Sequence, residues 1–194
     1  MKLHVFNPEH DLALAANLSN FTAPHAGRQL RADLGFLPAL WAGDDDVVLV
    51  GNTEDAERCY RRFMRRPFNR FVSREQLSEL PLTGVDAWGW DQAICSELVR
   101  YGVSKSLMPD NLHMIRELSH RSTAMRILSG LQGDGIIGEA VMSNPEGIPE
   151  LLTKWGKIVV KAPWSSSGRG VRFLDKSMSP QDHGWIENVA KRQG

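Results

Sequence analysis

The stretch KIVVKAPWSSSGRGVRF, residues 157–173, gathers side chains that could hold an anion. Ile158, Val159 and Val160 read as a strand that carries Lys161 to its end, and Pro163 prevents the ladder from continuing. An ammonium at the end of a buried strand needs an anion or a route to water. The loop that follows runs from Trp164 to Gly170. It offers closely spaced backbone N–H groups, the hydroxyls of Ser165, Ser166 and Ser167, and Gly168 and Gly170, which let a backbone approach closely. Arg169 adds planar, charge-assisted donors, each such bond contributing about 1.5–3 kcal/mol. These are the parts of a phosphate clamp, and a loop that merely joins two strands needs none of them. Val171 and Phe173 alternate with Arg172, the pattern of a strand returning antiparallel.

A second cluster lies near the N-terminus. NPEHD puts Asn7, Glu9, His10 and Asp11 on one turn at the carboxyl end of an apolar run, Leu3 to Phe6. In open α/β sheets, ligands bind at that end of the strands. Two carboxylates, an imidazole and an amide suit substrate contact or metal ligation, and a polar turn that caps the next helix would use the same residue types.

Two other patterns carry less. GDGIIG, Gly133 to Gly138, matches Gly-x-Gly-x-x-Gly, but it follows a helical pattern and precedes an extended one, the reverse of what a dinucleotide fingerprint requires. It reads as a helix stop. Arg58, Arg61, Arg62, Arg65, Arg66 and Arg70 make a basic helix that a nucleic acid or regulatory partner could use. These arginines lie off the helix's apolar face, as they would on any solvated amphipathic helix. Elsewhere the chain is not basic: Lys+Arg and Asp+Glu both number 23 among 194 residues. That balance argues against nucleic acid or a membrane surface as the general partner.

The elements that must position these residues follow from periodicity. Strands are expected at Leu3–Phe6, at FLPALWA, at DDVVLVGN and at GVDAWGW. Between them, helices are expected over APHAGRQLRADLG, closed by a left-handed Gly35, from Thr53 until Pro67 stops it, over SREQLSEL with its capping box, and from Asp91 to Tyr101. Strand-helix alternation argues for a parallel sheet covered on both faces. Beyond Pro109 the pattern changes to two consecutive helices, DNLHMIREL and HRSTAMRILSGL. A short helix around PEGIPELLTKW, the strand-loop-strand above and a last helix from Pro180, capped by Ser179, complete it. The boundary falls near residues 105–112, dividing the chain into 1–108 and 109–194. Cys59 and Cys95 have neither zinc spacing nor a disulfide framework, no window approaches a membrane span, and MKLHVF is too short for a signal segment. A cytoplasmic location is the expectation, which leaves the glycosylation-like motifs at Asn17 and Asn20 unused.

VVKAPWSSSGRGV resembles the nucleotide-binding strand and flexible loop of the ATP-grasp enzymes, whose pattern is a strand-end lysine, a small residue or proline, and a Gly/Ser-rich loop ending Gly-x-Gly-Val. SHRSTAMRIL is similar to the upstream helix that supplies their second cationic contact. It has Arg121 where the family usually carries lysine, which bears on that residue's role. The resemblance implies a Rossmann-like parallel-sheet domain over 1–108, followed by a partial α+β ATP-grasp subdomain over 109–194. It implies that Lys161 contacts the α/β-phosphates, that Ser165, Ser166, Ser167, Gly168, Arg169 and Gly170 close over the triphosphate, and that Arg121 adds a second cation. The implied cofactors are ATP and Mg2+, with the metal ligands and adenine hinge expected beyond residue 194 and no metal ligand within the chain. The implied partners are ATP and a small carboxylate, the latter near Asn7, Glu9, His10 and Asp11. The expected activity is ATP-dependent carboxylate–amine ligation in a longer protein, with this portion inactive alone. No catalytic residue is singled out.

Overall fold

The computed structural model describes residues 1–65, 68, 70–131, 139–165 and 168–193, with the backbone alone at residue 169. The chain divides into two compact units, Met1–Leu112 and His113–Gly194.

The first unit is an α/β layer structure. Its four strands are β1 (Lys2–Val5), β2 (Val47–Leu49), β3 (Phe71–Val72) and β4 (Gly84–Ala87), all parallel, in the order β3-β2-β1-β4. That layout is compatible with a Rossmann-like domain. Helices α1 (His10–Ala16), α2 (His25–Leu34), α3 (Thr53–Tyr60) and α4 (Gln92–Arg100) intervene or follow. Side chains alternate across the sheet. Leu3, Val5, Val47 and Leu49 pack with Ile94 and Leu98 of α4. Val48 and Val50 face the other way, against Ala56 and Tyr60 of α3. Both faces are therefore covered, as a parallel sheet requires.

Several local expectations change. FLPALWA is no strand: Leu37–Leu40 form a 3₁₀ turn, with Pro38 in its first turn. Buried Phe36, Ala39 and Ala42 recur every third residue, which is the period of that helix, and the apolar run reflects this contact with the sheet. Gly35 keeps right-handed angles (φ −56°), and Asn17 instead closes α1 at φ 52°. The cap of α3 is Asn52, which accepts the Asp55 N–H at 2.9 Å, rather than Thr53. This helix ends at Tyr60, and Pro67 lies outside the described residues. SREQLSEL has its capping box but winds as a 3₁₀ helix over Arg74–Glu79. β3 has only two residues, too few to carry a period, and falls in no expected strand.

The second unit contains α5 (which starts at the boundary, Leu112–Ser119), α6 (Arg121–Leu131), α7 (Ile148–Trp155), β5 (Lys157–Lys161), β6 (Val171–Asp175) and α8 (Pro180–Gln193). β5 and β6 pair antiparallel, with Val159 opposite Phe173 and Lys161 opposite Val171. An isolated two-stranded ribbon is marginal in water. Here Ile158, Val160 and Leu174 join Ile148, Leu152 and Ile186 in a core with α7 and α8. The Ser179 hydroxyl accepts the Asp182 N–H at 3.2 Å at the start of α8. Among the described residues no helix is long and apolar enough to cross a membrane.

Candidate functional site

In the second unit, β5 is not the buried strand that its apolar run suggests. It alternates exposed and half-buried residues, so Lys161 reaches water on the same face as Val159. The phase of β6 differs too: Leu174 is buried, while Phe173 is 81% exposed. Arg172, on the covered face, stacks 4.7 Å over the Trp185 ring. The lysine thus needs no anion to compensate burial, and it stands free at the mouth of the hairpin.

The base of the hairpin loop is fixed from below. The Ala162 N–H donates to the Gly170 carbonyl at 2.8 Å, closing the ribbon. Gly170 packs against Ser165 so closely that a Cβ would overlap the serine side chain, which explains glycine at this position. Arg121, the first residue of α6, donates through Nε to the Ala162 carbonyl at 2.7 Å and through Nη2 to that of Ser165, while its own N–H meets the Pro163 carbonyl at 3.1 Å. Three loop carbonyls are turned onto one residue. Trp164 is buried beside it, with its ring 4.1 Å from the Arg116 guanidinium and edge-on to His120 at 4.4 Å. Its N–H donates to Gln193 Oε1 at 3.1 Å. Burial, and then the Arg116 charge, holds the His120 imidazole below its usual value, which favours a neutral ring against the tryptophan. Gly168–Gly170 form a 3₁₀ turn. Ser166, Ser167 and the Arg169 side chain lie outside the described residues, as does the GDGIIG segment.

In the first unit, chain order reverses between β1 and β4, the switch point at which open α/β sheets leave a crevice beyond their carboxyl ends. Asn7 and Gly89 clamp that point: Asn7 Nδ2 donates to the Gly89 carbonyl at 2.7 Å, and the Gly89 N–H returns a bond to Asn7 Oδ1 at 3.1 Å. Asp91 is 2% exposed and caps α4, its Oδ1 accepting the Ile94 N–H at 2.9 Å. Its Oδ2 accepts from Asn7 Nδ2 at 3.3 Å and lies 3.2 Å from His10 Nδ1. A carboxylate that accepts at Nδ1 selects the tautomer with its proton there and leaves the Nε2 lone pair for a proton or a ligand. A Cβ on Gly89 would overlap the His10 ring, so the glycine lets the imidazole lie flat against the strand end.

Of the NPEHD residues, Asn7 and His10 thus converge on Asp91. Glu9 turns the other way, to Arg31 at 3.2 Å, and Asp11 sits in the first turn of α1. Arg31 also grips Glu97 through two bonds (3.1 and 3.3 Å), and Arg74 Nε meets Glu97 at 2.6 Å. Burial opposes ionisation of Glu97, but the two guanidiniums outweigh it and hold its carboxyl below the usual range. Asp91, Arg31, Arg74 and Glu97 were not singled out from the sequence. Their one visible signal is an aspartate placed to cap a helix just after a strand, and only the strand order brings it to Asn7.

The arginine helix is partly neutralised within itself: Arg58 pairs with Asp55, and Arg61 pairs with Glu57 at 2.7 Å. Arg70 meets Asp45 at 3.2 Å, and Arg66 lies outside the described residues. No family model, curated protein or solved structure matches this chain.

Proposed function

We propose that the β5–β6 hairpin binds the phosphates of ATP and that the chain acts in carboxylate activation of the ATP-grasp type. The observation that carries this reading is the exposed Lys161 at the mouth of a short loop whose carbonyls are drawn onto Arg121. With the Ala162, Pro163 and Ser165 oxygens occupied, the loop presents less negative potential to an approaching phosphate. Arg121 in this reading is a positioning residue: it shapes the loop, and Lys161 provides the charge.

The reaction would pass the γ-phosphoryl group of ATP to a carboxylate oxygen, releasing ADP and leaving an acyl phosphate. An amine would then displace inorganic phosphate. Positioning and electrostatic stabilisation supply nearly all of such catalysis. Among the described residues no group of three or more His, Cys, Asp or Glu side chains could hold a metal ion. Mg2+ in this reading enters with the triphosphate.

Titration calorimetry with MgATP tests the proposal. The wild-type chain is expected to bind, and Lys161→Ala to weaken binding by about 1.5–3 kcal/mol, roughly ten- to a hundredfold. Equal affinity in the two proteins, or no binding by the wild type, would overturn it.

A further inference from the structure

The first unit contains a polar cleft of about 360 Å³ beside the crevice end of the sheet, lined in part by Glu9, Arg31, Arg74, Asp91, Glu97 and Arg100. Three guanidiniums face three carboxylates, so the lining as a whole carries no net charge. Nearly all of these groups are already committed. Both oxygens of Glu97 accept from Arg31 or Arg74, and both oxygens of Asp91 accept from Ile94, Asn7 or His10. Two groups remain. Glu9 gives Oε1 to Arg31, but its Oε2 is buried with no hydrogen-bond partner among the described residues. Arg100 is exposed and has no ion pair among them.

A buried carboxylate oxygen without a donor forfeits the hydration it had in the unfolded chain. A ligand that brings a cationic donor would restore that loss. A polyanion gains little here, because Arg31 and Arg74 are already neutralised by Glu9 and Glu97. The complement of one unmet carboxylate oxygen and one unmet guanidinium is a molecule with a primary ammonium and a carboxylate. We infer that the cleft binds a small zwitterion of the α-amino acid class, its ammonium to Glu9 and its carboxylate to Arg100. Ser19, Asn20 and Thr22 on the cleft wall supply neutral polar contacts for the remainder. The inference does not rest on the nucleotide reading: every residue in it belongs to the first unit, and its test contains no nucleotide.

The full chain, labelled with nitrogen-15, is titrated with free α-amino acids bearing aliphatic, acidic, basic and aromatic side chains. The same amino acids as N-acetyl derivatives and as methyl esters, and inorganic phosphate, form the control arms. Saturable shifts at the amides of Asn20, Ala93 and Glu97 are expected with at least one free amino acid. N-acetylation and esterification should each weaken binding about tenfold or more, as should Glu9→Gln and Arg100→Gln. Arg100 is exposed, so its variant reports on binding even if Glu9→Gln disturbs the Arg31 network. No saturable shift with any amino acid, equal affinity of the N-acetyl or ester forms, or binding of phosphate alone would overturn the inference.

Discussion

Arg121 shows how one residue can serve a site without touching what binds there. Its guanidinium fork reaches two carbonyls of the 162–165 turn at once, and its own N–H takes a third. A lysine ammonium at the same place is a point charge without the planar fork. Arg121→Lys is therefore expected to keep the charge and lose at least one of the two side-chain bonds, destabilising the second unit by about 1–2 kcal/mol. Urea unfolding followed by the near-ultraviolet signal of Trp164 would read that loss, and an unchanged midpoint would contradict the stapling role. The same residue was legible in the sequence as a cation upstream of the loop, but not as its staple. Backbone carbonyls leave no mark in residue types, so the direction in which an arginine points cannot be read from its spacing.

The elements divide between those that their own period specifies and those that their neighbours specify. At the edge of the sheet, Asp46 ties the start of β1 to the turn before β2. Oδ1 accepts the Lys2 N–H at 2.8 Å, and Oδ2 accepts the Gly43 N–H at 3.1 Å and lies 3.2 Å from His4 Nε2. The Lys2 backbone bond first, and the His4 contact with it, hold the Asp46 carboxyl down at about 2, against its ordinary 3.8. Because the folded value is the lower one, the stabilisation is fully present above pH 3.8 and is lost as pH falls through about 2. Asp46→Asn should then be less stable than the wild type at neutral pH, with the difference shrinking across that window in urea melts at stepped pH. A difference that stayed constant down to pH 2 would assign the effect to packing alone.

Elements with a strong signal of their own were legible: β1, β2 and β4, the long helices, the Ser73 and Ser179 caps and the β5–β6 hairpin all lie within expected segments. The 3₁₀ turn at Leu37–Leu40 was not, because an apolar run looks alike whether its burial repeats every second or every third residue. The exposure of Phe173 was not legible either. A two-stranded ribbon covers only one face, and which face is covered depends on α7 and α8.

For the whole molecule, formal charge balances at 23 against 23, and the balance persists locally. Ion pairs within α3 offset part of the basic stretch, and the first unit's cleft sets three arginines against three carboxylates. Lys161 is an exposed cation with no ion pair among the described residues, at the mouth of a loop shaped by Arg121. Each unit has its own core, and the chemistry is divided accordingly, with an imidazole–carboxylate pair and a polar cleft in the first and a cationic hairpin in the second. The most direct test of the central claim is an amide NMR titration of the full chain with MgATP. The account predicts saturable shifts at Ala162, Ser165, Gly168 and Gly170 that are lost in Lys161→Ala and kept in Lys157→Ala, whose lysine pairs with Asp175 at the other end of the ribbon. Shifts confined to the first unit, or equal in both variants, would contradict it.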